Sequence, residues 1–344
     1  MNRPTIAELA KEAGVSVSTV NRILGGTAAV RGTTMRRVQL AAERIGYVGI
    51  GAIEHRLREQ TPHYRLSFLL QQSSRELYQL FGKKIVDACR GRRDEVVVPV
   101  VDFVDRLTPE NIGSRLLALG KECDAVALIA ADHPIIGHAI HELRDLGKPV
   151  VTYITDQSAP ERAAYVGTDN WKLGRTAAYL ITQTTQGPGR IAVFIGNHRY
   201  QCQDMADASF RSYIREHAPR LTVEESRPTH EEAETAFRMV TELLETADDL
   251  VGILIVGGGI SGVLRALRQV PEERRRKIRV VCRDIGPATR KGLSEGLITA
   301  ALCHPLEATA ELLVQTMIEV ISQDSSGVVV QRTLAFEIVT PENV

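Results

Sequence analysis

Between Thr5 and Leu24 the chain fits two short helical patterns around one glycine, and that pairing limits what its first fifty residues can become. Ile6, Leu9, Ala10 and Ala13 recur at helical spacing, with Thr5 placed to cap them. Gly14 permits a sharp turn, and Ser16 is a natural cap for the helix that follows. In that second helix Val20 and Ile23 share a face, while Val17, Ser18, Asn21 and Arg22 line the opposite one. A helix of about eight residues is not stable alone. One face must pack on the first helix, which leaves a small polar face to meet a partner. A helix-turn-helix, with its second helix in the major groove of DNA, satisfies both demands.

A third pattern completes this head. Met35, Val38, Ala41, Ala42 and Ile45 form an apolar stripe, Arg36, Arg37, Glu43 and Arg44 lie outside it, and Gly46-Tyr47 stops the helix. Three helices in this span make a small foldable domain. A helical bundle used for protein contacts is the alternative, but the Ala-Gly-Val-Ser turn and the capped polar stripe together favour DNA.

The whole chain of 344 residues has zero formal charge, which hides a segregation. Residues 1–60 carry nine Lys and Arg against five Asp and Glu, so the remainder is acidic by the same margin. A basic head on an acidic body suits phosphate contact at one end only. The five cysteines, Cys89, Cys123, Cys202, Cys282 and Cys303, are far apart and sit in apolar segments. They are expected to be buried and reduced, with no metal site. The expected location is cytoplasmic, with no membrane segment and no signal peptide.

From about residue 64 short apolar runs alternate with amphipathic stretches. Strands are predicted at 66–70, 96–101, 125–129, 150–154, 191–195, 221–224, 251–256, 278–282 and 298–302, with helices near 77–90, 108–120 and 134–146. This alternation means parallel sheets covered on both faces, as two α/β lobes or as one eight-strand barrel. The mid-chain Gly-Thr-Asp-Asn stretch reads as a crossing between lobes. The predicted division is a head (1–48), a hinge or linker (49–63) and a body (64–344). Lobe one takes about 64–166 and 305–325, and lobe two 167–304 and 326–344.

Ligands of open parallel sheets sit beyond the carboxyl ends of the strands. There the chain places Gln71-Gln72-Ser73-Ser74, Asp132-His133, Asp156, Asn197-His198-Arg199-Tyr200, Gly257-Gly258-Gly259, Arg283-Asp284 and His304, with Phe81 or Trp171 as an aromatic to stack on a ring. Carboxylates, amides and guanidinium forks around a cleft suit a hydroxyl-rich ligand. Gly257-Gly258-Gly259-Ile260-Ser261-Gly262 follows a strand, opens a helix and precedes Asp284 by about twenty residues, formally a dinucleotide fingerprint. An NAD-dependent dehydrogenase is therefore one alternative, and a plain sugar-binding protein another. The glycine motif falls late in the strand order, and no nucleophile turn or metal cluster accompanies it, so an enzyme is not expected, nor any cofactor.

The head, from Thr5 through Leu24 to Gly46-Tyr47, resembles the lactose/galactose repressor family. The body resembles that family's effector domain, similar to type I periplasmic sugar-binding proteins, through Tyr165-Val166-Gly167-Thr168-Asp169-Asn170, Leu173 to Ala178, and Val280 to Asp284. The resemblance implies an all-α helix-turn-helix head joined to a two-lobed α/β effector domain with parallel sheets. It implies that Val17, Ser18 and Arg22 read operator bases, Arg22 being suited to guanine. Thr5, Ser16, Thr19 and Asn21 would contact phosphates. It implies a homodimeric regulator, in the main a repressor, on a pseudo-palindromic double-stranded operator, controlled by a small effector, a sugar or polyol.

The linker departs from the family pattern. Tyr47 is followed by Val48 and Gly49, where Pro and Asn are usual, and Gly49 and Gly51 loosen it. Leu57 is the candidate minor-groove wedge. The pocket departs as well. Ala206 stands where an Arg commonly clamps the sugar, leaving Arg199 or Arg283 to replace it, and His304-Pro305 stands where Gln-Asp is common. Asp284 matches a frequent ligand contact.

Overall fold

The computed structural model describes residues 3–26, 30–322 and 327–344. The chain divides into two compact units, one of residues up to 64 with 89–98, the other of residues 65–88 and 99–344.

The head consists of α1 (Ile6–Ala13), α2 (Val17–Gly25), α3 (Gly32–Ile45) and α4 (Ile50–Gln60). Thr5 caps α1 reciprocally with Glu8. The Glu8 amide donates to the Thr5 hydroxyl at 3.3 Å and the Thr5 amide donates to the Glu8 carboxylate at 2.8 Å. Gly14 turns the chain at φ 61°, and Ser16 accepts from the Thr19 amide at the start of α2. Leu9, Ala10, Ala13, Val20, Ile23, Met35, Val38, Ala41 and Ala42 are buried together, as their spacing requires.

The linker differs from a loose connection. Ile53 of α4 is fully buried in the head's core, and Ile50 and Leu57 pack against it. A glycine inside a helix costs about 1 kcal/mol, whereas burying an isoleucine gains about 1.5–3 kcal/mol, so the apolar spacing at 50, 53 and 57 prevails over Gly51. Gly49 stands before the first turn, where helix propensity does not apply.

The body has two sheets. The first runs β12 (Val330–Leu334), β5 (Ala164–Thr168), β4 (Val150–Tyr153), β3 (Ala125–Leu128), β1 (His63–Gln71), β2 (Val96–Val104). The second runs β13 (Glu337–Val339), β11 (Ala300–Cys303), β10 (Arg279–Arg283), β9 (Leu250–Ile255), β6 (Gly189–Ile195), β7 (Leu221–Val223), with β8 (Arg227–Pro228) also on β6. Two open sheets exclude the barrel. The pairings β1–β3, β3–β4, β4–β5, β6–β9, β9–β10 and β10–β11 are parallel, while β11–β13 is antiparallel.

Helices cover both faces of the second sheet. Ile191, Val193 and Ile195 enter one apolar cluster and Ala192 and Phe194 the other, which is why these strands read as unbroken apolar runs. All five cysteines are buried and unpaired.

Three features differ from the sequence expectation. β12 pairs with β5 in the first sheet, which moves residues 330–334 out of the second lobe. Of the described residues after 326, β13 returns there. Phe81 is fully buried and stacks on Tyr153 at 5.6 Å, so it belongs to the first lobe's core and not to a ligand site. Trp171 is 46 % exposed on the helix Asn170–Thr184 and is not among the residues lining the interlobe cavity.

Candidate functional site

Two sites are built by these elements. The first is the outer face of α2. Val17 is 45 % exposed, and Ser18, Asn21 and Arg22 are exposed beside it, because Val20 and Ile23 occupy the inner face. Ser16 Oγ lies 3.0 Å from Ser18 Oγ and 2.8 Å from Thr19 Oγ1, and Arg22 Nη2 donates to Thr19 Oγ1 at 3.3 Å. These bonds leave most of the Arg22 fork unpaired. Thr5 is committed differently. Its hydroxyl donates to the Glu8 carboxylate at 2.9 Å, and the backbone and hydroxyl of Thr5 lower the Glu8 pKa. A phosphate at Thr5 would face that charge. Leu57 packs on the head's core and is only partly exposed.

The second site is a cavity of about 400 Å³ between the lobes. Its walls begin where the strands end. Gln72 follows β1, Ile129 follows β3, Ile154 follows β4, Val256 follows β9 and Asp284 follows β10. The first turns of the helices Glu76–Arg90, Gln201–His217, Ile260–Leu267 and Pro287–Ser294 also reach it. Helix N-termini carry positive partial charge and favour electron-rich ligand atoms such as oxygens.

The backbone is strained at the wall. Gln72, Ile154, Glu231 and Asp284 line the cavity with φ of 43°, 65°, 63° and 63°. Such conformations cost of order 1–3 kcal/mol each and collect at ligand sites, the β-branched Ile154 being the most strained.

Arg283 and Asp284 dominate the chemistry. Arg283 is 5 % exposed, and its Nη2 donates to His304 Nε2 at 2.6 Å and Thr168 Oγ1 at 3.1 Å. Its Nε and Nη1 have no hydrogen-bond partner. A buried unpaired donor costs about 1–3 kcal/mol. Asp284 Oδ1 accepts from the His304 amide at 2.9 Å and lies 2.6 Å from His304 Nδ1. Burial pushes the Asp284 carboxyl up, but the His304 ring, its hydrogen bonds and Arg283 outweigh it and hold the group at about 2. Burial lowers the His304 pKa, against the pull of Asp284.

Of the residues expected here, Gln72, Ser74, Tyr200, Gly257, Gly258, Gly259, Arg283 and Asp284 line the cavity. His304 is 4 % exposed and stands behind them. Gln71 is buried one layer back, where its Oε1 accepts from Tyr200 Oη at 3.0 Å. Asp132 and Arg199 meet each other instead of a ligand. The Asp132 amide donates to the Arg199 carbonyl at 2.7 Å, and Arg199 Nη1 to the Asp132 carbonyl at 3.2 Å. Asp156 is held by the Arg162 fork at 2.7 and 2.8 Å. Asn197 accepts from the Arg199 amide within its own loop. None of those four lines the cavity; Asp132 and Arg199 join the lobes, and Asp156 and Asn197 hold their own loops.

Sequence reasoning missed Arg75, Tyr78, Gln203 and Glu231. Arg75 Nη1 donates to Glu231 Oε2 at 2.6 Å across the cleft, and Gln203 Nε2 donates to Glu231 Oε1 at 3.0 Å. The glycine run serves this packing. A Cβ at Gly258 would lie 2.3 Å from Glu231 Oε2, and one at Gly262 would lie 1.8 Å from the Ala233 carbonyl. Backbone comes close there to the protein's own atoms, which removes the reason to read a pyrophosphate loop. Among the described residues no group of His, Cys, Asp or Glu could hold a metal ion, and no helix is long and apolar enough to cross a membrane.

Residues 66–325 match the periplasmic binding protein domain family, and residues 5–49 match the bacterial regulatory proteins of the lacI family. The chain belongs to the periplasmic binding protein domain family, and its head matches the lacI-family model over residues 5–49. The lacI-type head is 43 % identical over 47 residues to the maltose regulon regulatory protein MalI of Vibrio furnissii, a match spanning 14 % of this chain and 34 % of that protein. The periplasmic-binding body is similar in fold to GanP, a glucose-galactose binding protein of Geobacillus stearothermophilus. Their TM-score is 0.73 at 20 % identity, covering 83 % of this chain and 99 % of that one. Two solute binding proteins of Agrobacterium vitis are also similar. The one bound with α-D-tagatopyranose has TM-score 0.72 at 18 % identity, covering 82 % and 96 %. The one with D-fucose has TM-score 0.70 at 20 % identity, covering 81 % and 96 %. At these identities the likeness establishes the fold.

Proposed function

We propose that this chain is a transcriptional repressor whose affinity for a pseudo-palindromic operator is set by a sugar or polyol held between its two lobes. The single observation that carries the effector half is the interlobe cavity at the strand ends, with the Asp284 carboxylate and Arg283 among its lining residues. A cavity of this size falls in the small-molecule range of about 300–1,000 Å³. Donor and acceptor side by side suit a hydroxyl, which both donates and accepts. The sugars bound by the similar proteins support the same class.

The DNA half rests on the exposed face of α2. Val17, Ser18 and Arg22 read bases, with Ser16, Thr19 and Asn21 on phosphates. A homodimer presents two heads to the two operator halves. Leu57 must leave the head's core to act as a wedge, so its insertion is tied to remodelling of α4. The division proposed is a head through residue 60 that includes α4, followed by the effector domain. A DNA partner makes the cytoplasm the working compartment.

A thermal-shift screen with D-arabinose, D-fucose, D-tagatose, D-glucose and D-galactose tests the effector half. A ligand that binds the folded state alone raises Tm by mass action. No shift with any of these sugars at about 100 times a millimolar dissociation constant would reject a sugar of this class.

A further inference from the structure

Arg56 of α4 lies flat on the end of α2. The place a Cβ of Gly26 would take is 2.6 Å from Arg56 Cζ, 2.6 Å from Nη2 and 2.9 Å from Nε. Near-equal distances to these three atoms put the face of the guanidinium, not its edge, on the glycine. Gly26 is the C-cap of α2 at φ 65°, and its bare backbone makes room for that plane. Arg56 Nη1 donates to Glu59 Oε2 at 2.8 Å, one turn further along α4. The Nε and Nη2 hydrogens point out of another edge, and among the described residues that edge has no acceptor. Such an edge is the fork with which arginine grips two oxygens at once. Ser18, Arg22 and Gly26 stand four residues apart, on one line of α2. Ser18 and Arg22 are exposed, so the Arg56 fork continues their line by about one turn, roughly 5.4 Å, past the helix end. Leu57 turns the other way, onto the head's core.

We propose that Arg56 is a DNA-backbone contact, whose Nε–Nη2 edge takes two oxygens of one phosphate beside the groove that α2 enters. The proposal rests on the DNA-binding reading of α2 and extends that footprint onto α4. It uses α4 as folded, so Leu57 stays in the head's core. A phosphodiester suits the fork because it offers two oxygens and a full negative charge at the spacing of the two hydrogens. Glu59 sits at Nη1, so it fixes the plane of the guanidinium without occupying the fork. The bases are left to Val17, Ser18 and Arg22, so Arg56 adds affinity and register but no sequence preference. Gly26 is what lets the two helices share this surface, since a side chain there would push the guanidinium away.

The test is the salt dependence of binding by the full chain to two duplexes, one selected from a random pool and one of arbitrary sequence. Each phosphate neutralised contributes about 0.9 to the slope of log affinity against log salt. Arg56→Ala should make that slope shallower by about 0.9 for each head bound, on both duplexes alike. Arg56→Lys keeps the charge and should keep the slope. A scan of the selected duplex with neutral methylphosphonates should find a position that weakens wild type and leaves Arg56→Ala unaffected. An unchanged slope in Arg56→Ala, a loss confined to the selected duplex, or identical scans for the two proteins would overturn the proposal. Helical circular dichroism checks that the variants fold. Should the alanine variant unfold, Arg56→Met keeps the stem in place and reads the same slope. A head that unfolds in both makes Arg56 a structural residue and overturns the proposal as well. Wild-type protein that binds neither duplex defeats the DNA-binding reading itself, whereas binding with an unmoved slope rejects Arg56 alone.

Discussion

Arg75 of the first lobe and Glu231 of the second form an ion pair at 2.6 Å across the cleft, with the Glu231 side chain 7 % exposed and the Arg75 side chain 28 % exposed. Glu231 is further fixed by Gln203 and held in a left-handed backbone conformation. The pair closes the cavity with the protein's own charges. A ligand entering there finds the lobes already joined, so part of its binding free energy goes into reorganising this contact.

Removing Arg75 therefore leaves a buried carboxylate short of a partner. Arg75→Ala should destabilise the body by about 1–3 kcal/mol and raise the population of an open form. Small-angle scattering should show a larger radius of gyration, and denaturation should show a lower midpoint. An unchanged radius of gyration and midpoint would remove the latch from the account.

Acid should weaken the body in two stages. The His304 pKa is held below its ordinary 6.5, so below that pH the unfolded chain takes up a proton the folded ring refuses, and stability falls. The Asp284 carboxyl sits at about 2 instead of 3.8, so its contribution is present at neutral pH and is lost as pH drops through that lower window. His304→Gln should flatten the first stage only. Calorimetric Tm curves for the two proteins that run parallel from neutral pH down to about pH 5 would contradict this.

The linker helix belongs to the head. Ile53→Ala removes a fully buried side chain and should cost the head about 2–5 kcal/mol while leaving the body's transition in place. Leu57→Ala should cost less, because that side chain is only partly buried. The check is a two-transition melt followed by helical circular dichroism. A head transition that does not move in Ile53→Ala means α4 is not part of its core.

At the DNA face, Arg22→Ala should relax base preference at one position by about 1–3 kcal/mol, beyond any general weakening. Binding to a panel of single-base operator variants reads this. Uniform loss across the panel would assign Arg22 to phosphate contact instead.

What the sequence made legible follows from how local the causes are. Thr5, Gly14 and Ser16 act on neighbours within four residues, so the caps, the turn and the inner face of Val20 and Ile23 could be read directly. The strand-end rule found Asp284 and Gly258, since a strand's carboxyl end is a local property. The same rule reached Gln71 through Ser74 and stopped just before Arg75, which the helix start carries into the cleft. Glu231 follows the two-residue strand β8, too short to leave a pattern. Phe81 was misplaced because a ring that stacks on a ligand and one that stacks on Tyr153 look alike in sequence. β5 was obscured by Gly167 and Thr168, and its place depends on pairing with β4 and β12. The linker was the reverse case. Its apolar spacing at 50, 53 and 57 was visible, but two glycines drew the reading toward a loose chain.

In the proposed regulator, the cavity around Arg283 and Asp284 controls what α2 does on DNA. The most direct measurement is operator affinity, on a duplex selected from a random pool by the unliganded protein, with and without the sugar that most raises Tm. Coupling of this kind is typically about 1–3 kcal/mol, so affinity should change roughly 5–150-fold in wild type. In Asp284→Ala the unliganded affinity should be retained and the response lost. A saturating sugar that leaves wild-type affinity unchanged, or a full response in Asp284→Ala, would contradict it.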